Sequence, residues 1–119
     1  MSEHGESVGL RPLVYVAGPY SGPTLAVVAS HIATAQRVGV EVRRLGADPY
    51  VPHAMSHGIE ETQDEAEWIA EGLRWLERCQ SVMLCPGWEM SHGTRGEIER
   101  ARELGIPVFE ELEELSEWL

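Results

Sequence analysis

The sequence predicts an α/β fold in which an open, parallel sheet lies between two layers of helices. Three observations lead to this fold class. Short apolar runs alternate along the chain with stretches that have helical periodicity. The runs are apolar at nearly every position, which is typical of parallel strands covered on both faces. Connections long enough for a helix separate the runs, as right-handed crossovers require.

The first strand is predicted at residues 12–17, where a β-branched and aromatic run stops at Gly18 and Pro19. Residues 24–44 then predict a helix, because apolar side chains recur at steps of three and four. Thr24 is a suitable N-cap for it. The residues of the apolar stripe are Leu25, Val28, Ile32, Ala35, Val38 and Val42.

A second strand is predicted at residues 47–52, followed by a loop rich in histidine, serine and glycine. The next helix is predicted at residues 62–79, where Thr62 and Glu65 have the spacing of a capping box.

The third strand, residues 81–85, is apolar almost throughout and ends at Pro86 and Gly87. A helix at residues 94–104 follows, with Ile98, Ala101 and Leu104 facing inward. A fourth strand at 106–109 and an acidic final helix at 110–119 complete the prediction.

At 119 residues the chain has room for one domain, which we predict to span residues 12–119 after a flexible lead-in at 1–11. The start lacks the basic and apolar regions of a signal peptide, and no apolar run is long enough to span a membrane. The expected location is therefore the cytoplasm. Cys79 and Cys85 have neither redox nor zinc spacing and are interpreted as buried thiols in a reducing compartment.

The net charge of −11 argues against nucleic acid as a partner, because such a field repels phosphate backbones. All nine basic residues are arginine, which excludes a P-loop lysine and Schiff-base chemistry. A small anionic ligand stays compatible with this charge, since helix N-termini and loop amides bind phosphate.

Every irregular, polar and glycine-containing segment follows a predicted strand: residues 18–23, 53–60 and 86–93. Because ligands of open α/β sheets bind outside the carboxyl ends of the strands, we expect these three loops to line one cleft. The first loop combines glycines with a helix N-terminus, which suits an anion or sugar oxygens. A tight turn that needs glycine is the alternative explanation.

Glu97 is the candidate for covalent chemistry. We predict it in the first turn of the helix at 94–104, directed toward the cleft, where the helix N-terminus favours its ionised form by roughly 0.3–1 kcal/mol. An ionised carboxylate beside a phosphate-sized amide nest suits attack at an anomeric carbon. Ordinary first-turn helix chemistry is the alternative role.

The segments LVYVAGPY at 13–20, Pro52-His53, and CQSVMLCPGWEMSHGT at 79–94 with Glu97 resemble the DUF4406 proteins. Those proteins are similar to the nucleoside 2-deoxyribosyltransferase superfamily. The resemblance covers roughly residues 12–110. It implies a flavodoxin-like variant of the Rossmann fold that cleaves or transfers the N-glycosidic bond of a nucleoside or nucleoside 5′-monophosphate, without a cofactor or a metal.

The resemblance also implies roles for individual residues. Glu97 would be the nucleophile, and Tyr20 would orient it or the sugar. Glu89 or His53 would give the leaving base a proton or a hydrogen bond. The residues expected to contact substrate are Gly18, Pro19, Ser21, His53, Trp88, Ser91, His92 and Gly93. Gly72 stands where relatives commonly carry an aspartate, which implies close packing or room for a ligand.

Other functions remain open at this stage. The cleft could bind a nucleotide without catalysis, or the acidic C-terminal helix could recruit a partner. His53, His57 and His92 are too few convergent ligands to favour a metal site. Trp88 could stack on a base or pack in the core. Trp68 and Trp75 lie seven residues apart on one helix face, which is typical of a core or of a subunit interface. Trp118 is expected to dock on a neighbouring subunit or on its own sheet, and we expect a homodimer or larger homo-oligomer.

Overall fold

The structure, a computed structural model, describes residues 11–119, and four parallel strands form its sheet. The strands are β1 (Leu13–Ala17), β2 (Asp48–Tyr50), β3 (Ser81–Leu84) and β4 (Val108–Phe109). Their order across the sheet is β2-β1-β3-β4. The register pairs Tyr15 of β1 with Tyr50 of β2 and with Val82 of β3.

Helices cover both faces of this sheet, which confirms the predicted three-layer α/β fold. The helices are α1 (Leu25–Arg44), α2 (Pro52–Ser56), α3 (Glu65–Leu76), α4 (His92–Glu103) and α5 (Leu112–Trp118). Alternate residues of β1 point to opposite faces. Tyr15 and Ala17 pack with Leu76 of α3 and Ile98 of α4. Val14 and Val16 pack on the other face, against α1 and α5.

The predicted bounds of α1 are confirmed. Thr24 is its N-cap, and the Thr24 side chain accepts a hydrogen bond from the Val27 amide. Ile32, Ala35 and Val42 of the predicted stripe are buried. Leu25 is 90% exposed, so its predicted inward position is wrong.

The start of α3 differs from the prediction, as does the segment before it. The N-cap is Asp64, not Thr62, and the capping box pairs Asp64 with Glu67. Pro52 stands at the first position of α2, where its fixed φ suits a helix start, so the predicted loop begins with a helical turn. A 3-10 turn, Glu60–Thr62, connects this region to α3.

Arg11 belongs to the folded unit, although the sequence placed it in the flexible lead-in. Its guanidinium donates to Asp48 Oδ1 over 3.0 Å and to the Ala47 carbonyl over 3.2 Å. Residues 1–10 of that predicted lead-in lie outside the described residues. Among residues 11–119, no helix combines the length and apolar character needed to cross a lipid bilayer.

The short helix α5 is held to the sheet by Leu115, which is fully buried beside Val14, Val42 and Met83. We predict that Leu115→Ala lowers the free energy of unfolding by about 2–5 kcal/mol, the usual cost of a leucine-sized cavity. Urea denaturation measures this. The matched control is Leu25→Ala, at a 90% exposed leucine, which should change the free energy by less than about 0.5 kcal/mol. Equal effects of both substitutions would show that α5 does not dock as described.

Candidate functional site

The sheet order places a topological switch point between β1 and β3. From β1 the chain crosses to β2 on one side, whereas β3 lies on the other side of β1. The helices that follow β1 and β3, α1 and α4, cover opposite faces. In open α/β sheets a ligand crevice forms at the carboxyl ends of the strands at such a point.

The carboxylate of Glu97 is held by Tyr15 below this switch point. The Tyr15 hydroxyl donates to Glu97 Oε2 over 2.5 Å, the short distance typical of a hydrogen bond to a charged acceptor. Tyr15 is fully buried in the middle of β1, whereas Glu97 keeps part of its surface exposed. Glu97 therefore faces β1 of the sheet.

The predicted position of Glu97 in the first helical turn is wrong. The N-cap of α4 is Ser91 and the helix begins at His92, so Glu97 is its sixth residue. The favourable field of a helix N-terminus falls off within the first turn. The carboxylate consequently depends on Tyr15 rather than on the helix end.

Gly72 provides the space in which the Tyr15–Glu97 pair lies. A Cβ atom at this position of α3 would stand 3.0 Å from the Tyr15 hydroxyl oxygen and 3.7 Å from Glu97 Oε2. Of the two explanations that the sequence left open for Gly72, close packing is the one that this geometry supports. We refer to Tyr15, Gly72 and Glu97 as the carboxylate site.

Burial raises the pKa of Glu97 from its ordinary value of 4.5 to about 7, and the hydrogen bond from Tyr15 opposes the rise. The ionised and protonated forms of Glu97 are therefore present in comparable amounts at neutral pH. A carboxyl group with this pKa can act as a base, an acid or a nucleophile near pH 7.

Tyr20, which we expected to orient Glu97, binds another carboxylate. Its hydroxyl donates to Glu60 Oε2 over 2.8 Å. Tyr20 lies in the loop after β1, whereas Tyr15 lies within the strand on the face toward α4, so Tyr15 makes the expected hydrogen bond instead. The expectation that Tyr20 orients Glu97 is therefore wrong, and its alternative role of orienting the sugar stays a prediction.

Residues of the three loops lie close to one another, and His53 holds two of the loops together; the cleft that we expect them to line stays a prediction. Its Nε2 lies 3.0 Å from the Gly18 carbonyl oxygen and 2.9 Å from that of Pro19. Because both partners only accept, Nε2 carries the hydrogen. A Cβ on Gly87 in the third loop would lie 3.6 Å from Pro19 Cγ.

His53 is poorly suited to donate a proton to a leaving base. Only 4% of it is exposed, and burial lowers its pKa, so the ring is neutral at pH 7. Its one hydrogen points to backbone carbonyls. The structure therefore gives His53 a role in positioning the loop.

Several other predicted contact residues support the fold locally. A Cβ at Gly18 would stand 2.5 Å from Cys85 Cβ, so glycine is required there for strand packing. Ser91 caps α4, accepting from the Thr94 amide and hydroxyl. Trp88 packs against the core beside Leu84 and Ile98. The remaining predicted residues, Ser21, Glu89, His92 and Gly93, are exposed, and Pro19 is partly exposed.

The sequence analysis missed Tyr15. The available signal was a tyrosine inside a predicted buried strand, since a buried hydroxyl needs a hydrogen-bond partner. The sequence analysis also missed the stack of aromatic rings beside Tyr15. The Tyr15 and Tyr50 ring centroids are 5.8 Å apart, and those of Tyr50 and Trp75 are 4.6 Å apart.

The cysteines are poor nucleophiles in this environment. Burial raises the pKa of Cys79 to about 11, and burial together with the Glu97 charge raises that of Cys85 to about 12. Within residues 11–119, no group of three histidine, cysteine, aspartate or glutamate side chains is arranged to hold a metal ion.

A family model with the description "Domain of unknown function (DUF7768)" matches residues 12–111. The chain belongs to this family, and the resemblance to DUF4406 inferred from the sequence is therefore wrong. The segments that suggested it, AGPY and PGWE, begin the loops after β1 and β3, where turn residues are common in α/β folds generally. No curated protein matches the chain significantly.

We predict that Gly72→Ala is less favourable than Gly96→Ala. Both glycines lie in helices, where alanine is favoured by about 1 kcal/mol. Gly96 has open space around its Cβ position, so Gly96→Ala should gain most of this free energy. At Gly72 the new methyl crowds the Tyr15 hydroxyl, so the gain should be lost. Urea denaturation compares them, and equal stabilisation by both substitutions would contradict the packing described.

The pKa of Glu97 predicts a pH dependence of stability. Between pH 4.5 and about 7 the folded state binds more protons at Glu97 than the unfolded state, so the free energy of unfolding falls as pH rises. The decrease could reach about 3 kcal/mol, at about 1.4 kcal/mol per unit of pKa.

The control for this titration is Glu97→Gln, which keeps an acceptor for Tyr15 and does not ionise. The difference in unfolding free energy between wild type and Glu97→Gln should fall across this pH range. A difference that is independent of pH would contradict the raised pKa.

Proposed function

We propose that this DUF7768 protein cleaves or transfers the N-glycosidic bond of a nucleoside or nucleoside 5′-monophosphate, with Glu97 as nucleophile. The observation that carries the proposal is the hydrogen bond from Tyr15, in the middle of β1, to Glu97. The hydrogen bond fixes one carboxylate beside β1, and a ligand at the carboxyl ends of β1 and β3, where small ligands of such sheets bind, would meet it there. A carboxylate fixed in this way suits attack on a glycosidic carbon.

In the proposed first step, a Glu97 oxygen forms a bond to the anomeric carbon as the bond from that carbon to the base nitrogen breaks. The base leaves with the electron pair of the broken bond and takes up a proton. Glu89, exposed in the loop after β3, is our candidate donor. Water, or a second base in transfer, then attacks the anomeric carbon and displaces the Glu97 carboxylate. The proton lost by the attacking molecule returns to Glu89, so both carboxyl groups are restored.

Tyr15 has two effects on this carboxylate. Its hydrogen bond fixes the position of Oε2 and stabilises the ionised form that attacks. Burial acts in the opposite direction by destabilising the ionised form, and a less stabilised anion is a stronger nucleophile. The near-neutral pKa of Glu97 is the result of these two influences.

The loops that meet at the carboxyl edge are the proposed contacts to the sugar and to a 5′-phosphate. Ser21, His92 and Gly93 are exposed there and free to approach a ligand. We propose the cytoplasm as the location of this activity, because both cysteines are free and buried, as is usual where thiols stay reduced.

We predict that Glu97→Gln abolishes release of free base while the variant stays folded. Purified protein is incubated with a panel of nucleosides and 5′-monophosphates, and chromatography measures the free base. Circular dichroism checks the fold of the variant. If Glu97→Gln releases base as fast as wild type, the nucleophile is a different residue.

The two tyrosines provide a matched pair of variants. Tyr15→Phe removes a hydrogen bond worth about 1.5–3 kcal/mol, so the pKa of Glu97 should rise by about one to two units. The acidic limb of the kcat/KM profile should move to higher pH by that amount. Tyr20→Phe removes a hydrogen bond to Glu60 and should leave this limb in place. A shift caused by Tyr20→Phe alone would contradict the role of Tyr15.

The same panel distinguishes a nucleotide-binding module without catalysis. Such a protein would be stabilised by its ligand by about 2.7 kcal/mol at a hundredfold excess over Kd, with no base released during long incubation. That outcome would leave the crevice as a binding site and remove the catalytic role of Glu97.

A further inference from the structure

Charge is distributed unevenly along the folded chain. Residues 11–51, which form β1, α1 and β2, carry four arginines and two acidic residues. Residues 110–119, at the C-terminal end, carry five glutamates and no basic residue. β2 forms one edge of the sheet, whereas Trp118 at the end of α5 contacts Phe109 of β4, the opposite edge.

A groove of about 550 Å³ lies at the basic edge, between α1 and the end of β2. Its lining combines apolar residues, which we call the floor, with basic and polar residues, which we call the rim; it includes Val40, Pro49, Val51, Gln36, Arg43 and Arg44. Val40 is 49% exposed, which is high for an apolar side chain in a groove. A Cβ on Gly39 would stand 2.8 Å from Val51 Cγ2, so the glycine lets the helix approach the floor closely. We call this the arginine groove.

The C-terminal end of α5 is complementary to the arginine groove in charge and in apolar surface. Glu113 and Glu117 of α5 are exposed, and beside them Trp118 and Leu119 are 41% and 40% exposed. Trp118 makes only a tilted contact with Phe109, with ring centroids 5.8 Å apart. An acidic helix that ends in two exposed apolar side chains matches a groove with an apolar floor and a basic rim.

We propose that the arginine groove of one copy of this chain binds the C-terminal end of α5 from a second copy. Trp118 and Leu119 would cover the groove floor, and the glutamates of α5 would pair with Arg43 and Arg44. The two surfaces lie at opposite edges of the sheet, so one molecule cannot satisfy both. The association is therefore head-to-tail, which produces a ring or an open chain of copies.

The ion pairs within one molecule leave these arginines available. Arg43 lies 3.3 Å from Asp48 Oδ1 and Arg44 lies 2.6 Å from Glu41 Oε2, but the two side chains are 63% and 70% exposed. Exposed pairs of this kind contribute at most about 1 kcal/mol. Carboxylates from a second copy would therefore find arginine side chains in the groove with which they can form further ion pairs.

Charge reversal tests the proposal, with sedimentation velocity of the full chain at about 0.15 M salt as the measurement. Wild type should self-associate. Both Arg43→Glu/Arg44→Glu and Glu113→Arg/Glu117→Arg should weaken self-association by about tenfold or more, because each places like charges opposite one another. An equimolar mixture of the two variants should associate again, since each reversed surface finds a matching partner.

The control variant, Arg74→Glu/Arg78→Glu, makes the same change in net charge as Arg43→Glu/Arg44→Glu. Its exposed positions lie at the end of α3 and beyond it, and it should associate like wild type. Circular dichroism shows that each variant is folded. A wild-type chain that stays monomeric up to about millimolar concentration would overturn the proposal. So would a mixture of the two reversed variants that fails to associate, or a control variant that weakens association equally. None of these outcomes depends on catalysis by Glu97.

Discussion

The hydrogen bond between Tyr15 and Glu97 is the constraint on which the rest of the site depends. A tyrosine in the middle of a fully buried strand brings its hydroxyl into the protein interior, where an unpaired polar group costs about 1–3 kcal/mol. Glu97 from α4 meets this requirement over 2.5 Å. The strand therefore fixes the carboxylate, and the carboxylate fixes how α4 lies on the sheet beside α3. Gly72 completes the arrangement, because a larger residue there would occupy the space of the hydroxyl.

The same arrangement gives Glu97 its chemical character. Burial destabilises the ionised form of Glu97, and the hydrogen bond from Tyr15 stabilises it in part. The carboxyl group therefore changes protonation near pH 7. Tyr15 is supported in turn by stacking on Tyr50, which stacks on Trp75 at the surface. Burial also keeps the phenol of Tyr50 protonated by raising its pKa to about 12. The phenol groups and both thiols thus stay neutral at physiological pH, and Glu97 is the group of this core face that titrates there.

The sequence was sufficient for the architecture because apolar periodicity determines which segments become covered strands and helices. It was less reliable at helix starts. Thr62 and Glu65 have the spacing of a capping box, but Asp64 and Glu67 form it, since several acceptors compete within a few residues. For the site, the sequence singled out Glu97 as the candidate carboxylate. The sequence could not identify Tyr15 as the partner of Glu97. The two residues are 82 positions apart, and only the packing of α4 on β1 brings them together. Resemblance of turn segments misled the family assignment, since such turns follow strands in many α/β proteins.

Carbon-13 NMR of protein labelled at glutamate carboxyl groups measures the central feature directly. The Glu97 resonance is assigned by its loss in Glu97→Gln, and its shift is followed from pH 3 to pH 9. The account predicts a midpoint near 7 for this carboxyl group, well above the ~4.3 usual for an unperturbed glutamate. A midpoint close to that usual value would mean that Glu97 is freely hydrated, and the carboxylate site as described here would not exist.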